Sequence, residues 1–386
     1  MKEIYFDNAA TTAARPEVAE ILQRYLLDIY GNPSSLHSTG QKAKRSLETA
    51  RKTVADIIEA EPGEIFFTSG GTESNNIAIK GTAYANLEKG NHIITSSIEH
   101  HAVINVYEEL EKQGFDITVL PVDHNGIIDL EILANSLRRN TTLISIMLVN
   151  NEIGTIQPLA KVTELAKDRG IIVHTDAVQA VGKIPVSVNK LGVDLLSMTA
   201  HKIHGPKGIG ALYKRDGLKI KPLFEGGHQE KILRPGTENI PGIVALSAAL
   251  QLAADEIESE NKRLATLRDK LEEGIRNRVN DIKINGHPDL RVPNISNISF
   301  KFIEGEALLL SLDIRGIAVS TASACSAGAT EPSHVLKAIG LDPLLAQGSI
   351  RFSLGHFNTA DEVNHVIDAV EETVNKLREL SPIRKT

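Results

Sequence analysis

The 386-residue chain has one cysteine, three methionines, no tryptophan and only 4% aromatic residues. A single cysteine excludes an internal disulfide, so the chain fits a reducing compartment and all thiol chemistry must belong to Cys325. Excess positive charge is also missing: 42 basic against 49 acidic residues leave a formal charge of -7, which gives no electrostatic reason to expect nucleic acid. Near the start only Ile4, Tyr5 and Phe6 form an apolar run, too short for a signal-peptide core, and no stretch reads as a membrane span. These absences predict a soluble, cytoplasmic protein, and the length is ample for a large buried core.

The cysteine lies in STASACSAGAT, 320–330, among Ser, Thr, Ala and Gly. A packing cysteine is usually surrounded by Leu, Ile and Val, so these small neighbours suit access better than burial. The alternative is a small-residue loop in which sulfur merely replaces another alanine.

From about residue 60 to 215, short apolar runs alternate with helical patterns. The runs are Ile65–Thr68, His92–Thr95, Ile117–Leu120, Leu143–Val149, Ile171–His174, Leu195–Met198 and Ile209–Tyr213. Runs without polar alternation predict strands covered on both faces, hence an α/β fold with a mostly parallel sheet. Polar stretches follow these runs: TSGGTES, SSIEHHA, NNEIG, HTDAVQ and TAHKIHG. Ligands of open α/β sheets gather beyond such strand ends. A long helical stretch, roughly Ile243 to Val279 and weakly broken at Gly274, then leads to a smaller α+β region. The boundaries predicted are 15–257 for the large domain, with 1–14 and 258–386 forming the small one.

Three motifs carry chemistry. Ser69-Gly70-Gly71-Thr72 precedes a helix opened by Glu73, a natural cradle for phosphate, although such a turn is more often only a turn. Asp176 and Gln179 follow the strand GIIVHT, where a carboxylate can equally be a solvated cap. Lys202 stands in TAHKIHGPKG, just before a rigid Gly205-Pro206 turn. A phosphate cradle, an acid able to keep a pyridine nitrogen protonated and a lysine able to bond an aldehyde are together the parts that pyridoxal 5'-phosphate requires.

With these residues in place the chain resembles the cysteine desulfurases of the NifS and IscS type, among the fold-type I pyridoxal phosphate enzymes. The likeness runs nearly end to end, through YFDNAATT, YGNPSSLH, TSGGTESNN, IEHHAV, NNEIGTIQP, DAVQAVGK, HKIHGPKGIGALY, RPGTEN, SACSAGATEPSHVL and SIRFSLGHF. The resemblance implies that Lys202 bonds the cofactor, Asp176 pairs with its ring nitrogen and Gln179 hydrogen-bonds its phenolic oxygen. His100 would lie over the ring and move protons, with Asn151 beside it. Gly71, Thr72, Thr199 and His201 would hold the phosphate, and Thr237 would reach the phosphate of a neighbouring subunit in a homodimer. Arg351, helped by Asn32, would bind the carboxylate of L-cysteine, a task suited to a guanidinium fork. Cys325 would accept the sulfur as a persulfide, leaving alanine, for delivery to an iron–sulfur scaffold of the IscU type or another thiolation pathway.

Some details depart from the family pattern. Lys231-Ile232 stands where a basic residue followed by Gly is common, SAGA follows Cys325 in place of the commoner TSAS, and the tail ends at SPIRKT. Competing chemistry stays open at this level. His100, His101, His174, Asp176, His201 and His204 could ligate a metal in a hydrolase, although no tight pair such as HExxH is present. A non-catalytic sulfur-relay platform would leave Lys202 and Asp176 without a purpose. A selenocysteine lyase or an aminotransferase could share the fold, because fold and cofactor do not set the reaction. Cys325 favours desulfuration.

Overall fold

The computed structural model describes residues 3–321 and 332–381. In chain order the strands are β1 (Ile4–Tyr5), β2 (Ile65–Thr68), β3 (His92–Ser96), β4 (Asp116–Leu120), β5 (Thr141–Ser145), β6 (Ile172–Asp176), β7 (Leu195–Thr199), β8 (Gly210–Lys214), β9 (Ile282–Asn285), β10 (Ile295–Phe300), β11 (Ile317–Ala318), β12 (Ser320–Thr321) and β13 (Ser349–Ser353). Seven form the main sheet in the order β2-β8-β7-β6-β5-β3-β4. Only β8 runs against the others, pairing antiparallel with both β2 and β7. The α/β reading with a mostly parallel sheet therefore holds.

Apolar runs without alternation are buried because helices cover both faces. Phe67, Ile94, Ile144, Val173 and Leu196 face one core, and Phe66, Ile93, Leu143, Ile172 and Leu195 face the other. At the common end of the six co-directed strands, all but β4 finish on a polar residue: Thr68, Ser96, Ser145, Asp176 and Thr199. Chemistry is thus gathered along one edge of an apolar slab. The expected strand Leu143–Val149 stops at Ser145, but the chain stays alongside β6 and beyond it, with Ile146 N donating to His174 O and Leu148 N to Asp176 O.

A second, antiparallel sheet has the order β12-β13-β10-β9, and β1 pairs in parallel with β11. Ile4 and Phe6 pack in its core with Leu267, Phe300, Phe352 and Val370. One helix, Ile240–Arg278, spans the two regions, with Ile243, Leu246 and Leu250 in the first core and Leu267, Leu271 and Ile275 in the second. Its sequence reading needs two corrections. The helix continues through Gly274, where a Cβ would come within 2.4 Å of Ile367 Cδ1; glycine there permits close approach of the helix Ala360–Leu380. It is also long and apolar enough over part of its length to cross a membrane, contrary to the reading that no stretch is. Those apolar residues are spent on packing against the helices Pro16–Leu27 and Ser38–Ile57.

Candidate active site

Asp176 ends β6, and only 6% of it is exposed. Its Oδ2 accepts from Asn75 Nδ2 at 2.7 Å and its Oδ1 from Val178 N at 2.9 Å. Two donors on a buried carboxylate fix it in direction, as an acid facing a pyridinium must be. Asn75 was not among the predicted residues. Its place one turn into the helix that follows the glycine turn was the available signal.

The turn itself joins β2 to the helix Gly71–Ala85. Gly70 has φ +155°, a backbone position that L side chains rarely adopt, and no side chain caps the helix start. A Cβ on Gly210 would lie 2.7 Å from Gly70 Cα, so β8 presses directly on the turn. Thr199 is buried and donates from Oγ1 to Ile209 O at 3.2 Å, while Thr72 is exposed. Uncapped helix N–H groups with hydroxyls nearby fit a phosphate. Glu73 accepts from Ser69 N and from Arg234 Nε at 3.0 Å, which ties the RPGT loop to this helix start. Thr237 in that loop is exposed.

Lys202 lies just past β7 in a short 3-10 turn, with Nζ donating to Ala9 O and Ala10 O, both at 2.6 Å. Gln179 Nε2 donates to the same Ala9 carbonyl at 2.9 Å. The segment YFDNAATT thereby acquires a role that sequence reasoning did not assign. Thr12 bonds the His201 carbonyl and receives His204 N, so the N-terminal segment braces the lysine turn from outside the sheet. His201 Nδ1 lies 3.2 Å from Thr11 Oγ1. Burial, with Lys202 and Lys207 adding to it, pushes the His201 imidazole down to about 4, so the ring is neutral.

His100 caps the helix His101–Lys112, its Nδ1 accepting from Ala102 N at 3.0 Å. A neutral ring with Nδ1 occupied as acceptor carries its proton on Nε2, the atom left for chemistry. Burial holds this imidazole below the ordinary histidine value. Asn151 is 9% exposed, and its carbonyl accepts from Arg351 Nη1 at 2.9 Å. Arg351 Nη2 donates to Asp7 Oδ1 at 2.8 Å, while its buried Nε has no partner among the described residues. Asn32 sits on an exposed loop, where its Oδ1 accepts from Ser34 N at 2.8 Å. Among the described residues no hydrogen bond joins Asn32 to Arg351.

Cys325 lies outside the described residues. Downstream of it, Ser333 donates to the buried Glu152 Oε2, and His334 Nε2 lies 2.9 Å from the Glu99 carbonyl, directly before His100. His174, one of the residues weighed as a metal ligand, is committed inside the sheet between Ser145 Oγ at 2.8 Å and Ser197 Oγ at 3.0 Å. Burial pushes it down to about 3.

Set against known proteins, the chain matches the family model described as Aminotransferase class-V over residues 4–366. It is 52% identical over 382 residues to a cysteine desulfurase IscS of Methanosarcina thermophila, covering 99% of this chain and 94% of that one. Another, from Dictyoglomus turgidum, is 51% identical over 384 residues, covering 100% of this chain and 98% of the relative. A solved NifS-like protein superposes with a TM-score of 0.92 at 42% identity, covering 97% of this chain and 100% of its own. A structure described as SspA in complex with cysteine gives 0.82 at 37% identity, covering 92% and 100%.

Proposed function

Because the chain belongs to the class-V aminotransferase family, we propose that it is a pyridoxal 5'-phosphate-dependent cysteine desulfurase, converting L-cysteine to L-alanine with transfer of sulfur to Cys325. The observation that carries this reading is the convergence of Asp176, Gln179 and Lys202 at the ends of β6 and β7, in a chain alike end to end to named cysteine desulfurases.

When bound, the cofactor supplies an electron sink that weakens the bonds around the substrate's α-carbon. Asp176, fixed by Asn75 and Val178, keeps positive charge on the ring nitrogen and so maintains that sink. Lys202 would hold the cofactor through its amine and, with that amine free, would carry the substrate's α-proton. The uncapped start of the helix Gly71–Ala85, with Thr72, Thr199 and His201, anchors the phosphate. Arg351 binds the substrate carboxylate, assisted by Asn32, with Asn151 beside the ring. His100 holds or returns a proton at Nε2. The Cys325 thiolate attacks the substrate sulfur. The electron pair of the broken carbon–sulfur bond stays with carbon, which takes up a proton and leaves as alanine, while sulfur remains as a persulfide.

The fuller setting of the reaction belongs to the same proposal. The enzyme works as a cytoplasmic homodimer in which Thr237, exposed on its loop, completes the phosphate site of the partner subunit. The persulfide then passes to an IscU-type scaffold or a related sulfur acceptor. Residues 15–257 form the large domain and 1–14 with 258–386 the small one, a division supported by Ile4 and Phe6 packing in the second core. Incubation with L-cysteine should yield alanine in step with sulfide and add one sulfur to the peptide containing Cys325. Cys325→Ala should keep the visible absorbance of bound cofactor and lose alanine formation by orders of magnitude. Normal alanine formation by that variant would turn the reading towards a lyase that needs no thiol.

A further inference from the structure

Lys183, one helical turn beyond Gln179, is absent from the roles given above. Its Nζ donates to Gln179 Oε1, and the other end of that amide, Nε2, donates to Ala9 O at 2.9 Å, where Lys202 Nζ also donates. Lys183 and Lys202 line one cavity of about 70 Å³, together with Arg15, Glu256, Glu260 and His356. A primary amide has two chemically opposite ends, and rotating it by half a turn exchanges an acceptor for a donor. An ammonium, which has no lone pair, can only satisfy the oxygen end. We propose that Lys183 is a positioning residue which fixes the orientation of the Gln179 amide, so that its N–H end, and never its oxygen, faces Lys202 and the phenolic oxygen of the cofactor.

This rests on the desulfurase reading, because it assumes the cofactor lies between Gln179 and Lys202. Burial, with the charges of Lys202 and Arg351 adding to it, pushes the Lys183 amine down to about 7. The charged amine enforces this orientation; once neutral it can also accept, so the anchoring is strongest on the acid side of that value. Were the amide reversed, its oxygen would meet the Ala9 carbonyl and the phenolic oxygen, three acceptors with no proton among them. The amide N–H stabilises an ionised phenolic oxygen, so its loss favours the protonated cofactor.

The test uses the purified holoenzyme and reads the pH midpoint of the acid–base change in its visible band, with kcat and KM for L-cysteine alongside. Lys183→Met should move that midpoint upward by about one pH unit, as the loss of one oriented hydrogen bond implies. Lys183→Arg, which keeps a donor towards Gln179 Oε1, should restore it towards the wild-type value. In a Gln179→Leu background Lys183→Met should cause little further shift, because the amide through which it acts is gone. An unchanged midpoint in Lys183→Met, or an equal shift in the Gln179→Leu background, overturns the proposal. A wild-type protein with a normal visible band but no alanine from cysteine would instead overturn the functional reading and leave this one standing.

Discussion

The buried Arg351 and the half-buried Asp7 form an ion pair, Nη2 to Oδ1 at 2.8 Å, that ties β13 to the segment just after β1. The second nitrogen of the fork is held by the Asn151 carbonyl, so the guanidinium is set in direction before any substrate arrives. A carboxylate approaching this side chain would meet a fork fixed on two sides, with its charge already partly balanced by Asp7. Pre-organisation of this kind lowers the ordering cost of binding a carboxylate, and because every amino acid carries one, discrimination for cysteine has to come from other contacts.

Replacing Arg351 by Lys keeps the charge but cannot keep two fixed directions. KM for L-cysteine is expected to rise about tenfold or more, with the visible band of bound cofactor unchanged. Asp7→Ala strands a buried guanidinium and should destabilise the fold by about 3 kcal/mol, measured by denaturant unfolding. A KM in Arg351→Lys equal to that of the wild type would remove Arg351 from the substrate site.

His100 should set the acid limb of the pH–rate profile. Burial holds its imidazole below 6.5, so the neutral ring, with its proton on Nε2, persists under that value and is lost only as the pH falls further. The limb of kcat should accordingly lie below about pH 6.5. His100→Gln should flatten it while lowering kcat by about a hundredfold, a size typical of positioned proton transfer. A limb that survives the substitution unchanged belongs to another group.

Much of this site was legible in the sequence because strand ends are. Asp176 and Thr199 terminate buried apolar runs, and termination of a run at a polar residue is a local signal. Contacts made across hundreds of residues were not legible. That Ala9 lends its carbonyl to Lys202, or that Glu73 pairs with Arg234, depends on tertiary placement that no periodicity records. Gly274 misled for a related reason: a glycine within a helix reads as a weak point until the neighbouring helix that needs the space is known.

Glu99 predicts a pH dependence of stability. Its Oε1 accepts from Ser96 Oγ at 2.6 Å and Met147 N at 2.9 Å, Oε2 has no partner among the described residues, and burial pushes the carboxyl from 4.5 up to about 8. The folded protein thus keeps a proton that the unfolded chain releases. Stability from this group is fully present below about pH 4.5 and is lost as the pH rises through about 8. Glu99→Gln cannot ionise, so its Tm should fall less than that of the wild type across this window. Parallel Tm–pH curves would show that Glu99 does not titrate there.

The loop at 230–232 combines a strained backbone with a buried ion pair. Glu230, Lys231 and Ile232 all have positive φ, at 44°, 53° and 72°. Ile232 is β-branched and half exposed, so neither its backbone conformation nor its burial favours it at that position. The loop is held open against this strain by Glu230, which is buried, accepts two hydrogen bonds from Arg51 at 2.7 and 2.9 Å and receives Phe67 N at 2.9 Å. Glycine adopts such a φ freely, although it also loses more conformational freedom on folding. The two effects oppose each other, and for a β-branched residue the steric term is the larger. Ile232→Gly should therefore stabilise the protein by about 1 kcal/mol. Glu230→Gln weakens the hold on the same loop by removing the charge from the Arg51 pair, and should destabilise it by about 3 kcal/mol. A loss of stability in Ile232→Gly, measured by denaturant unfolding of the holoenzyme, would mean that the isoleucine side chain contributes packing that outweighs its backbone strain.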